Sequence, residues 1–101
     1  MNKYTGFIKF QAGPTYRISD GRVTERGLAF DTGEANYSYF IQLQPAPENG
    51  PHGVKGHWHQ NGQKRGPILG VIFHEDEEVT ITGSWIEDGE EWRFFAELSP
   101  N

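Results

Sequence analysis

The sequence predicts an all-β domain over residues 1–101, a small antiparallel meander of seven or eight strands closed into a barrel, with a two-sheet β-sandwich as the alternative. Three observations carry this. Thirteen glycines and six prolines break the chain before any 3.6-residue apolar pattern can run. Short segments of alternating apolar and polar residues recur between turn-forming residues. Most informative, residues 54–65 and 81–92 are near duplicates. Both read apolar-x-Gly-x-Trp and then, after two residues, Asn61-Gly62 or Asp88-Gly89, the grammar of a hairpin with a two-residue turn.

The elements follow in order. Tyr4 to Phe10 is a strand with Tyr4, Gly6, Ile8 and Phe10 on one face. Ala12-Gly13-Pro14 turns the chain into a short strand, Thr15 to Ile18, and Asp20-Gly21 reads as the next turn. Arg22 to Phe30 and Tyr37 to Gln44 read as strands joined across Asp31-Thr32-Gly33-Glu34. In the second of these Tyr37, Tyr39, Ile41 and Leu43 alternate with Ser38, Phe40 and Gln42. Pro45 to Gly53 is the one long loop. Four strands follow, at 54–60, 66–73, 78–86 and 90–98.

For the last pair a two-residue Asp88-Gly89 turn sets the register. Glu87 faces Glu90, Trp85 faces Trp92, Gly83 faces Phe94, Ile81 faces Ala96 and Val79 faces Leu98. The other face pairs Ser84 with Arg93, Thr82 with Phe95 and Thr80 with Glu97. A slip of one residue would send Trp92 and Phe94 to the polar face, so the pattern pins the pairing. Gly83 opposite Phe94 suits a ring lying over bare backbone. The same arithmetic at Asn61-Gly62 sets Trp58 opposite Arg65, Gly56 opposite Pro67 and Val54 opposite Leu69. Ile68 to Phe73 is apolar on both faces, which predicts a contact on the outside as well as a core within.

The strands built on Gly56-His57-Trp58 and Gly83-Ser84-Trp85 resemble those of calycin-type barrels, the lipocalin and streptavidin group. That resemblance implies a barrel of the up-and-down kind. An eight-stranded barrel is packed solid or holds one small ligand, depending on how its side chains fill it.

The net charge is −5, and it is unevenly spread. Residues 1–30 hold five basic and two acidic groups, and residues 74–101 hold nine acidic groups against Arg93 alone. An acidic second half gives no footprint for a nucleic-acid backbone and suits a basic partner. The absence of cysteine removes disulfides, thiolate metal sites and a thiol nucleophile. It fits a reducing cytoplasm, and no apolar run suggests a leader or a membrane partner.

No cofactor signature is present: phosphate-loop, EF-hand and nucleophile-elbow spellings are all missing. His57 and His59 share one strand face, spaced so that both could ligate a metal. With Trp58 turned into the core they face solvent instead, and no metal is expected. Trp58, Trp85, Trp92, Tyr37 and Tyr39 would line an aromatic interior suited to a small apolar or sugar-like ligand. Arg93 is expected to pair with Glu91. The function these features favour is a non-catalytic binding or inhibitory protein acting through a protein partner or as a homodimer. The alternative is a small-molecule-binding barrel, or a barrel enzyme, with His57, His59, Arg93, the tyrosines and the tryptophans as ligand-binding candidates.

Overall fold

In the computed structural model, which describes residues 3–24, 27–34 and 37–101, the chain is a closed barrel of eight antiparallel strands in sequence order. The strands are β1 (Lys3–Phe10), β2 (Thr15–Thr24), β3 (Gly27–Glu34), β4 (Tyr37–Pro45), β5 (Gly53–Gln60), β6 (Gln63–Glu75), β7 (Glu78–Glu87) and β8 (Glu90–Pro100). Each pairs with the next, and β1 closes the circle on β8 from Tyr4 opposite Pro100 to Phe10 opposite Phe94. Closure leaves no edge strand to recruit another chain. The up-and-down course puts the 11–14, 61–62 and 88–89 turns on one rim, here the upper rim. The 46–52 loop, the 76–77 turn and the start of β1 lie on the lower rim.

Period two fills the interior. Ile8, Ile18, Leu28, Phe30, Ile41, Leu43, Val54, Trp58, Ile68, Val79, Ile81, Trp85, Phe94, Ala96 and Leu98 form one buried cluster. It includes residues from all eight strands, as a packed small barrel requires. The sandwich alternative is therefore replaced by the barrel.

The β7–β8 hairpin has the predicted register at every pair, Trp85 facing Trp92 and Val79 facing Leu98. Its turn has positive φ at both Asp88 (51°) and Gly89 (78°), the mirror-image turn whose twist matches the strands. The neighbour that makes Gly83 obligatory is not the Phe94 ring. A Cβ there would overlap the Leu69 carbonyl oxygen and stand 2.8 Å from the Gly70 Cα of β6. Gly56 likewise faces the Gln42 carbonyl of β4. The repeated glycines thus mark points where neighbouring backbones come too close for a side chain.

The β5–β6 hairpin keeps its Asn61-Gly62 turn (φ 51° and 81°) but not its predicted register. Gln60 faces Gln63 and His59 faces Lys64; beyond them His57 faces Pro67, Gly56 faces Ile68 and Val54 faces Gly70. Trp58 is opposed by both Arg65 and Gly66, a β-bulge. One extra residue reverses the facing of everything after it. Ile68 is buried, while Leu69 and Phe73 stand 53% and 47% exposed on the outside.

Two joints also differ from the sequence reading. Asp20-Gly21 is not a turn: β2 runs through it with a register shift between Ile18 and Asp20. Gly21 is buried, and a Cβ there would stand 2.7 Å from Leu98 Cδ2 and 3.2 Å from the Tyr4 carbonyl, so its glycine serves close packing. Residues 31–34 are likewise strand, the end of β3. The 46–52 loop folds onto the barrel through Pro47–Asn49, a single 3-10 turn. Its other ties are Ala46 N–H to Gly53 O (2.8 Å) and Ile72 N–H to His52 O (2.9 Å). No helix among the described residues is long and apolar enough to cross a membrane.

Candidate functional site

Above the packed core, at the upper rim, the interior opens into a cavity of about 120 Å³ lined by Ile8, Phe10, Pro14, Tyr16, Thr32, Tyr39, Trp85, Glu87 and Trp92. The alternation that buries the core places these groups. Phe10 follows Ile8 on β1, Tyr16 precedes Ile18 on β2, Thr32 follows Phe30 on β3, and Tyr39 precedes Ile41 on β4. On β7 Glu87 follows Trp85, the last inward position before the turn.

Four of the rings meet in a circuit. Phe10 and Tyr16 are 6.2 Å apart between centroids, Tyr16 and Tyr39 6.0 Å, Tyr39 and Trp85 6.1 Å, and Trp85 and Phe10 5.1 Å. Three of these contacts are edge-to-face, Phe10 on Trp85 at 88°, Phe10 on Tyr16 at 79° and Tyr39 on Trp85 at 73°, the arrangement that ring quadrupoles favour. Trp92, opposite Trp85 on β8, extends the aromatic wall.

Thr32 is the polar anomaly. It is 2% exposed, and its Oγ1 has no hydrogen-bond partner among the described residues. An unsatisfied buried hydroxyl costs about 1–3 kcal/mol, and Thr32 stands in the cavity wall. Glu87 makes no ion pair or hydrogen bond among the described residues. Among the described residues the lining contains no lysine, arginine or histidine.

Trp58 lies one step deeper. Its ring stacks on Trp85 at 4.8 Å and 23°, and its Nε1–H donates to the Ile86 carbonyl at 2.8 Å. Arg65 caps the ring with its guanidinium carbon 5.6 Å from the centroid and reaches Asp88 at 3.8 Å. Trp58 is thus a sealed core residue, and of the predicted aromatic candidates Trp85, Trp92 and Tyr39 border the cavity. The Tyr37 side chain lies outside the described residues.

The other candidates are outside the barrel. His57 and His59 line a broad groove on β4, β5 and β6 with Gln42, Gln44, Lys55 and Lys64. His59 Nδ1–H donates to the Phe40 carbonyl at 3.2 Å. The His57 imidazole is held below the ordinary histidine value, chiefly by desolvation and then by the charges of Lys64 and His59. The Lys64 charge beside the pair opposes a bound cation, and no three potential ligands converge among the described residues. Lys55 donates to Glu48 at 2.6 Å, a bond that keeps the Glu48 carboxyl below its usual range. Arg93 is 3.8 Å from Glu91, which also accepts a hydrogen bond from Ser84 at 2.9 Å; it points away from the cavity. Across β2 and β3, burial and the nearby Asp20 charge raise the Asp31 carboxyl, with Arg22 partly offsetting them.

Sequence reasoning missed Thr32 and Glu87, and it did not count Phe10 and Tyr16 among the site residues. Continuing the Leu28, Phe30 alternation would have turned Thr32 inward. Continuing Ile81, Gly83, Trp85 would have done the same for Glu87.

The architecture is that of a small up-and-down β-barrel with an aromatic, carboxylate-bearing mouth. Comparisons with protein-family models, curated proteins and solved structures found no match for this chain.

Proposed function

We propose that the barrel is a binding protein that takes a small, largely apolar ligand into its upper mouth. The observation that supports this most is Thr32, a buried hydroxyl without a partner in the wall of an aromatic cavity. A packed core gains nothing from such a group, whereas a ligand or an ordered water entering from the rim can satisfy it. The cavity suits a single small ring, or one end of a longer molecule whose remainder stays in solvent.

Titration with benzyl alcohol, followed by amide chemical shifts, tests the reading. Shifts should centre on Thr32, Tyr39, Trp85 and Trp92 and leave His57 and Arg93 unmoved. Thr32→Val should weaken the alcohol while stabilising the free protein by about 1 kcal/mol. Saturating alcohol that leaves the upper-rim amides unmoved would sink the proposal.

A second reading, self-association, is favoured by the outer face. Leu69, Val71 and Phe73 of β6 and Phe95 and Phe7 of β8 and β1 face outward in a mixed band, with Thr80, Thr82 and Ser84 of β7 between the two groups. Lys9 and Arg93 stand in its upper rows, level with Phe95 and Leu69, and Glu97 stands in its lowest row beside Phe7, with Glu75 beyond Phe73 on β6. A two-fold axis through the band would set each copy's basic side against the other's acidic side, the self-complementarity an isologous dimer needs. Light scattering should then give a mass twice the monomer's, reduced to the monomer's by Phe95→Lys. A monomer at every accessible concentration ends this reading.

A further inference from the structure

The chemistry of the mouth narrows the ligand class. Aromatic ring faces carry negative potential and attract cations, most strongly when the cation is shielded from water. Here Phe10, Tyr16, Tyr39 and Trp85 form a circuit of ring contacts with Trp92 beside it. Among the described residues Glu87 is the one ionisable carboxylate in the lining, and none of them is its counter-ion. No basic side chain among the described residues lines the cavity to hold an anion.

The surroundings have the same sign. The β7–β8 turn carries Glu87, Asp88, Glu90 and Glu91 at this rim. Arg65 engages Asp88 and Arg93 engages Glu91, which leaves the carboxylate directed toward the rings unmatched. A field of that sign at a narrow opening raises the local concentration of cations.

We propose that the occupant carries a quaternary or alkylated ammonium group, seated among Phe10, Tyr16, Tyr39, Trp85 and Trp92 with Glu87 as its counter-ion; this rests on reading the mouth as a ligand site. An alkylated ammonium is the cation that matches both halves of the wall. Its methyl groups bury against the rings, and its charge is diffuse enough to be desolvated there. A hydrated ion such as sodium would forfeit its water shell and find one carboxylate in return. The Thr32 hydroxyl, deeper in the wall, supplies a polar contact for a hydroxyl or amide on the same molecule.

Calorimetric titration of the intact protein with tetramethylammonium, with choline, and with the dimethylbutanol in which carbon replaces choline's quaternary nitrogen tests this. Choline should bind about tenfold or more tightly than its neutral isostere, the ratio expected for a shielded cation–π contact. Glu87→Gln should abolish most of that ratio while leaving the melting temperature near that of the parent protein. Glu90→Gln, which removes an equal charge from the exposed tip of the same turn, should preserve the ratio. Equal binding of choline and its isostere overturns the cationic assignment and leaves the binding mouth standing. Equal losses in the two carboxylate variants overturn the role of Glu87, because diffuse charge alone would then account for the preference. Binding by neither compound, together with an unperturbed upper rim in the benzyl alcohol titration, overturns both readings.

Discussion

The two hairpins spelled almost alike, β5–β6 and β7–β8, do different work. In β7–β8 two residues of the turn and strict alternation carry Trp85 to the wall of the mouth, with Trp92 opposite it. In β5–β6 the bulge at Arg65 and Gly66 lets Trp58 lie flat beneath Trp85 and send its N–H across to Ile86 of β7. One tryptophan seals the core, and its repeat borders the cavity. A shared motif therefore fixes the strand and its turn. Pairing partners, and the one inserted residue, decide whether the aromatic is structural or available.

The sharpest way to break this comparison is Gly66→Ala. A Cβ there would overlap the Ile86 carbonyl and stand 2.9 Å from the Trp58 Nε1, so the bulge and the bond it permits cannot both persist. Urea denaturation should show a loss of more than about 3 kcal/mol, at the severe end for a single substitution. A loss below about 1 kcal/mol would mean that the bulge is not what positions Trp58.

Truncating each tryptophan separates the roles more finely. Trp58→Ala should cost about 3–5 kcal/mol, as for a large aromatic removed from a closed core. Trp85→Ala should cost less, because it enlarges a space already open to solvent, and should abolish the upper-rim response to ligand. Equal costs in the same denaturation series would erase the distinction between the two copies.

The smallest effect concerns the outer face, where His57 stands at the repeat position of Ser84. Its titration, followed by ring proton shifts, should have a midpoint below 6.5, the ordinary value. Lys64→Met should raise that midpoint only part of the way, since desolvation is the larger cause. A group whose pKa is lowered by folding favours the neutral form. Its stabilising contribution is complete above pH 6.5 and is lost as the pH falls through the depressed value. With the ring so open to water, the change in stability should be slight.

How much of this was legible depended on whether alternation and turn spelling agreed. At β7–β8 they did, and every pair followed from the sequence. At Asp20-Gly21 and Asp31-Thr32-Gly33-Glu34 they conflicted, because glycine and aspartate mark turns but also tolerate bulges and tight interstrand contacts. Assigning residues 31–34 to a turn hid Thr32 from the list of inward groups. The bulge at Gly66 had one local sign, Pro67, whose missing donor marks an edge or a bulge; the reversal of facing that it causes beyond Trp58 was not drawn from it. Trp85 and Tyr39 were readable as interior rings. That they enclose space rather than fill it depends on where four different strands end.

Barrel closure carries a consequence for how the chain folds. Seven of the eight ladders join consecutive strands, so each forms across a short stretch of chain; only β1 with β8 joins distant ends. Closing a loop costs entropy that grows with the logarithm of its length, and such distant pairings slow folding. The β1–β8 seam is therefore the late step, reached by an open sheet that must curl before it is complete. Gly6 sits on that seam, against the Glu97 carbonyl. Its substitution would leave seven hairpin ladders able to form and act chiefly on the final zippering, exposing the free edges of β1 and β8 to exchange with another molecule.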